Sequence, residues 1–172
     1  MIKHPRFNTS FQNLYQLHCH FFENHEILDR LANLCKNIQV LVIDFNGSQL
    51  HNYKIQNELG QLIKAQSRIK DLVFFSEDNI ILSRDIKEAI MVHSKSIINY
   101  ESYGENDSNF LLMSNFQNLK SLTLSFTNNN FKYLKSISFS KIEAVDLTIY
   151  YQPFLLDTSD FVKINRDTLK IL

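Results

Sequence analysis

LANLCKNIQVLVIDF, residues 31–45, carries two periodicities joined end to end. Leu31 and Leu34 fit the stripe of an amphipathic helix. Ile38, Leu41 and Ile43 then follow the spacing apolar-x-x-apolar-x-apolar. The last two positions lie two residues apart, so both side chains fall on one face of a short strand. The first packs at the turn into that strand.

The spacing recurs along the chain. It opens at Leu14 (Leu17, Cys19), Ile38 (Leu41, Ile43), Ile69 (Leu72, Phe74), Leu119 (Leu122, Leu124) and Ile142 (Val145, Leu147). A weaker copy opens at Ile97 (Tyr100, Ser102), and Leu169-Lys-Ile-Leu172 starts another at the chain's end. The starts lie 24, 31, 28, 22, 23 and 27 residues apart. A period of about 20–29 residues opening L-x-x-L-x-L is the signature of leucine-rich repeats. Parallel strands need a crossover between them, and a helix supplies it. The spacing predicts helices over His25–Lys36, with Ile27, Leu28, Leu31 and Leu34, over Tyr53–Ser67, and over Asp85–His93 with Ser83 or Asp85 as N-cap. Phe110–Phe116 and Phe131–Ile137 are short enough to be single turns.

The fold expected is an α/β leucine-rich-repeat solenoid. It is a right-handed αβ superhelix with parallel strands on the concave side and helices on the convex side. Leu41, Leu72, Leu122 and Val145 should stack in one column. Residues 1–172 read as a single leucine-rich-repeat domain of about six and a half repeats, a piece of a longer array. Ending in mid-strand without a polar cap, it should fray or self-associate at residues 160–172. The competing fold is a doubly wound parallel sheet, which usually marks its ligand site with a glycine-rich first turn. Only Gly47, Gly60 and Gly104 occur, and none forms a G-x-G pattern.

Composition narrows the function classes. Hydrophobic residues make up 44% and charged residues 21%, as in ordinary soluble domains. With 18 basic and 18 acidic residues the net charge is zero, so nothing electrostatic favours nucleic acid or an anionic membrane as partner. No run approaches the roughly 18 apolar residues of a membrane helix, and MIKHPRFNTSFQNL lacks the features of a signal peptide. The two cysteines, Cys19 and Cys35, are too few for a disulfide framework. An intracellular location, cytoplasmic or nuclear, follows as the expectation.

The opening stretch also carries a family resemblance. Leu31-Ala32-x-x-Cys35-x-Asn37-Ile38-x-x-Leu41-x-Ile43 resembles the cysteine-containing leucine-rich repeats of F-box proteins, in which a small buried cysteine ends the helix before the next strand. Gln66-Ser67 and Ser94 sit near the same place in their units. Phe11-Gln12-Asn13-Leu14 and Phe116-Gln117-Asn118-Leu119 resemble the Phe-x-Asn-Leu units of the fungal F-box-like families. The resemblance covers residues 11–172 and implies a substrate-recognition repeat region of an F-box protein, a substrate adaptor in ubiquitin ligation. Only ten residues precede the first repeat. Contact with the ubiquitin-ligase scaffold is therefore implied only if an F-box lies outside this chain.

Candidate chemistry is sparse. His18 and His20 flank Cys19, and on a strand both histidines point to one side. Such a pair is half of a metal site. No second ligand pair is spaced to complete it, so the pair reads as exposed polar residues, with no metal or other cofactor expected. Cys35 at a helix end should be buried and inert. No phosphate loop, nucleophile elbow or zinc motif is present. A non-enzymatic module is the expectation; a general repeat scaffold unrelated to ubiquitin and a small α/β enzyme are the alternatives.

One surface remains. Residues alternating with the buried strand positions face the concave side. They include His18 and His20, Val42 and Asp44, Asp71, Val73 and Phe75, and Glu101 and Tyr103. Apolar and aromatic anchors ringed by charge are how protein interfaces are built, so these residues are the candidate site for a protein partner.

Overall fold

Each apolar-x-x-apolar-x-apolar run ends in a strand. In the computed structural model, residues 11–20, 26–45, 53–76, 81–104, 110–126, 134, 137–149 and 159–169 are described. Strands β1 (Gln16–His20), β2 (Val40–Asp44), β3 (Asp71–Phe75), β4 (Asn99–Tyr103), β5 (Ser121–Phe126) and β6 (Ala144–Ile149) occupy the predicted positions. Helices α1 (Glu26–Leu34), α2 (Tyr53–Lys64), α3 (Arg84–Val92) and the single turn α4 (Phe110–Met113) lie between the first five strands. A further helix, α5 (Ser159–Asn165), follows β6.

The protein is α/β. All six strands form one parallel sheet in the order β1-β2-β3-β4-β5-β6. The order never reverses, so the described strands contain no topological switch point of the kind that locates the ligand in a doubly wound sheet. Register follows the sequence spacing: Leu41, Leu72, Tyr100, Leu122 and Val145 are successive cross-strand neighbours. The residue after the first apolar position accepts a forked pair of backbone bonds from the next unit. Tyr15 O takes the Gln39 and Val40 amides, Gln39 O those of Lys70 and Asp71, and Lys70 O those of Ile98 and Asn99. Ile98 O and Lys120 O repeat the pattern toward β5 and β6. One local geometry thus sets every step of the sheet.

Period-2 alternation makes the sheet one-sided. Leu41 and Ile43 on β2, and Leu72 and Phe74 on β3, are buried, whereas Val40, Val42, Asp44, Asp71, Val73 and Phe75 are half-exposed. The buried face shares a single core with Leu28, Leu31 and Ala32 of α1, Leu59, Leu62 and Ile63 of α2, and Ile86, Ala89 and Ile90 of α3. Helices α1, α2 and α3 pack against one another in chain order. Burying a leucine or isoleucine of this kind stabilises by roughly 1.5–3 kcal/mol, so the core column and the helical stripes carry the fold.

The helix ends meet the strands through side chains as well as packing. Ser83 caps α3, its Oγ accepting from the Ile86 amide at 3.3 Å. Cys35 is fully buried after α1, as its repeat position predicts. After α2 that place belongs to the buried Gln66. After α3 it belongs to the buried His93, one residue before the expected Ser94. Ile27 departs from the expected stripe and is 57% exposed. The buried side of α1 runs Leu28, Leu31, Ala32, Cys35, spaced i, i+3, i+4, i+7, which turns Ile27 outward. Helix α5 was not expected from the spacing; it buries Phe161 and Asn165. Most of Phe131–Ile137, and residues 170–172 of the last copy, lie outside the described residues. No helix among the described residues is long and apolar enough to cross a membrane.

Candidate functional site: the open face of the sheet

Parallel in-register pairing turns the alternating residues into rows that cross the sheet. One row reads His20, Asp44, Phe75, Tyr103, Ser125, Thr148. The next reads His18, Val42, Val73, Glu101, Thr123, Asp146. Gln16, Val40, Asp71, Asn99, Ser121 and Ala144 complete a third. All the sequence-predicted site residues therefore lie on one face, within the first four strands.

The middle of this face is aromatic and apolar. Phe75 and Tyr103 stack with ring centroids 4.8 Å apart and an interplanar angle of 6°. Cross-strand neighbours on parallel strands sit close enough for such offset stacking. Val42 and Val73 adjoin them in the neighbouring row, both partly exposed.

The acids beside this patch are oriented rather than loose. The Tyr103 hydroxyl donates to Glu101 Oε2 at 2.8 Å. The Asn99 amide donates to Asp71 Oδ1 at 2.5 Å, in step with the Asp71–Asn99 register. Both carboxylates are half-buried. Asn99 was not among the expected site residues, though its strand position placed it next to Asp71.

At the β1 edge the structure brings together what the spacing rule did not. His20 Nδ1 lies 2.8 Å from Asp44 Oδ2, and the His18 and His20 rings are 4.2 Å apart. Asp44 adds a single carboxylate beside the histidine pair, and among the described residues no second ligand pair joins it. His20 and Asp44 each follow the last apolar position of their repeat, so register pairs them. Ligand atoms of His18, His20 and Asp44 all lie within 4.8 Å of one another.

The thiols face the other way. Cys19 points into the core between the two histidines, and burial pushes its thiol up to about 12. Burial also raises the Cys35 thiol, with the Lys36 charge opposing. Both remain protonated near neutral pH, the form that is neither nucleophile nor metal ligand. The chain matches no family model, no curated protein and no solved structure.

Proposed function

We propose that this chain is a leucine-rich-repeat solenoid that serves as a non-enzymatic protein-interaction module and holds a protein partner on the concave, open face of its sheet. The observation that carries the reading is the stacked Phe75–Tyr103 pair, set on a one-sided sheet beside oriented carboxylates. A rigid aromatic pair buries much area with little loss of side-chain entropy, and the flanking Asp71 and Glu101 favour a partner with basic or donor groups. Sequential parallel strands, a repeated forked backbone bond and helices packed in chain order support the solenoid. Longer helices in the first units than at α4 suit a curved array.

By its resemblance the module is the substrate-recognition region of an intracellular F-box protein. The scaffold-binding F-box would then lie in a part of the protein beyond this chain. The test is a pulldown with the intact chain, the Phe75→Ala/Tyr103→Ala variant and the helix-side variant Tyr53→Ala, whose ring is 83% exposed. A partner retained by the intact chain and by Tyr53→Ala but lost from the double variant supports the reading. Partners held equally by all three sink it. For the F-box reading, expressing the extended reading frame and probing for the ligase scaffold decides.

A further inference from the structure

We propose that His18, His20 and Asp44 form a binding site for one divalent transition-metal ion of the zinc class. One imidazole nitrogen from each histidine and one Asp44 carboxylate oxygen ligate the ion, and water fills the remaining positions. The inference rests on geometry independent of the protein-binding reading. Alternation on β1 sends both histidines to the open face and Cys19 into the core. In-register pairing of β1 with β2 then sets Asp44 beside His20.

The separations suit a site in its metal-free form. Zinc takes nitrogen and oxygen ligands at about 2.0–2.2 Å, which in a tetrahedron sets ligand atoms roughly 3.3 Å apart. His20 Nδ1 and Asp44 Oδ2 are 2.8 Å apart, and the widest separation in the trio is within 4.8 Å. The β1–β2 ladder holds the backbone, so closing the trio falls to the side-chain torsions. Where the ion takes His20 Nδ1, the proton on that nitrogen is exchanged through solvent for one on Nε2, so that a neutral imidazole ligates.

Asp44 is the anchored member, its side chain 16% exposed against 50% for His20. The two histidines move onto it. Two imidazoles and one carboxylate favour zinc, nickel and copper over magnesium or calcium, which prefer all-oxygen sets. His18 and His20 are both exposed, so an ion reaches them from solvent.

The experiment is calorimetric titration of the full chain with zinc chloride, then nickel and magnesium chloride, at neutral pH. The expected result is one equivalent of zinc or nickel and no heat from magnesium. His18→Ala removes a ligand and leaves the His20–Asp44 contact in place. Asp44→Asn keeps the side chain's shape without its charge. Each should weaken zinc at least about tenfold, and His18→Ala/His20→Ala should abolish the saturable site. Cys19→Ala should bind as the parent does, and far-ultraviolet circular dichroism confirms that each variant is folded. No saturable zinc binding by the parent chain overturns the proposal. So does binding that survives unchanged in the folded double histidine variant, or that disappears in Cys19→Ala.

Discussion

Gln66 completes the turn that Cys35 begins one repeat earlier. Its Nε2 donates to the Cys35 carbonyl at 3.0 Å and to the Leu62 carbonyl at 2.8 Å, while its Oε1 accepts from the Ile38 amide at 3.0 Å. Asn165 repeats the device against Ile137 and Phe139. A side chain from one unit thus satisfies buried backbone groups of the unit before it. Truncating it strands them away from water, which costs more than a net hydrogen bond contributes. Gln66→Ala is expected to destabilise by about 2–4 kcal/mol. Urea unfolding with an unchanged m-value measures it; a loss below about 0.5 kcal/mol would mean that water replaces the amide.

Gly104 follows β4 with φ at +124°, and a Cβ there would lie 1.6 Å from the Ser76 carbonyl oxygen. Its amide donates to the Ser125 carbonyl at 2.8 Å, so the backbone cannot simply withdraw. Gly104→Ala should cost about 2–4 kcal/mol through strain and displacement of the Ser76 strand end. Gly60 is the control. It is helical, and a Cβ there meets Asp85 backbone at 3.3 Å, a tight contact set against the higher helix propensity of alanine. Gly60→Ala should stay within about 1 kcal/mol of the parent. Thermal unfolding of the two variants side by side tests the contrast.

The strand register was legible because the repeat spacing marks both its phase and its buried face. The positions opening at Ile38, Ile69 and Leu119 pair as the motif requires, and even the weak copy at Ile97 seats Tyr100 in the column. The open face follows by alternation, so all the expected site residues are on it. What spacing does not encode is which polar side chain closes each helix end. Ser94 fits the repeat count, yet α3 ends at His93, whose longer side chain reaches the Ile63 carbonyl. The Asp44 contact was readable from matching repeat positions, but searching for a second ligand pair along the chain overlooks a single carboxylate across strands.

The core column makes a graded prediction. Leu122 is fully buried, and Leu122→Ala should cost roughly 2–5 kcal/mol. Lys120 is exposed and pairs with Glu143 at 2.9 Å on the surface, so Lys120→Ala should change stability by no more than about 0.5 kcal/mol. Tyr100 separates ring from hydroxyl. Its ring packs between Phe74 and Phe116 at 6.0 and 5.5 Å, but among the described residues its buried oxygen makes no well-formed hydrogen bond, Ser102 being the nearest candidate. Tyr100→Phe should be neutral or stabilising by up to about 1 kcal/mol, whereas Tyr100→Ala should lose about 3–5 kcal/mol. A Phe variant as weak as the Ala variant would reveal a partner for the hydroxyl.

Both thiols should resist a thiol reagent in the native protein and react promptly once urea unfolds it. Cys35 is fully buried and Cys19 nearly so, and burial raises both thiols. Cys35→Ala should cost about 1 kcal/mol or more through lost packing. Rapid native labelling at Cys35 would show that the end of α1 opens in the folded state.

His93 ties stability to mild acid. It is buried at the end of α3, its Nε2–H donating to the Ile63 carbonyl at 2.9 Å. Burial lowers its pKa from the ordinary 6.5, with the Ile63 bond opposing. The unfolded chain therefore binds a proton at this residue before the folded chain does. The stabilisation is fully present above 6.5 and is lost as the pH falls through the lower folded value. Urea midpoints measured from pH 7.5 downward should decline once the pH passes below that ordinary value. His93→Gln has an amide suited to the same carbonyl and no titrating ring, so its decline should be shallower. If parent and variant decline in parallel, the acid sensitivity arises elsewhere and His93 tolerates its proton in the fold.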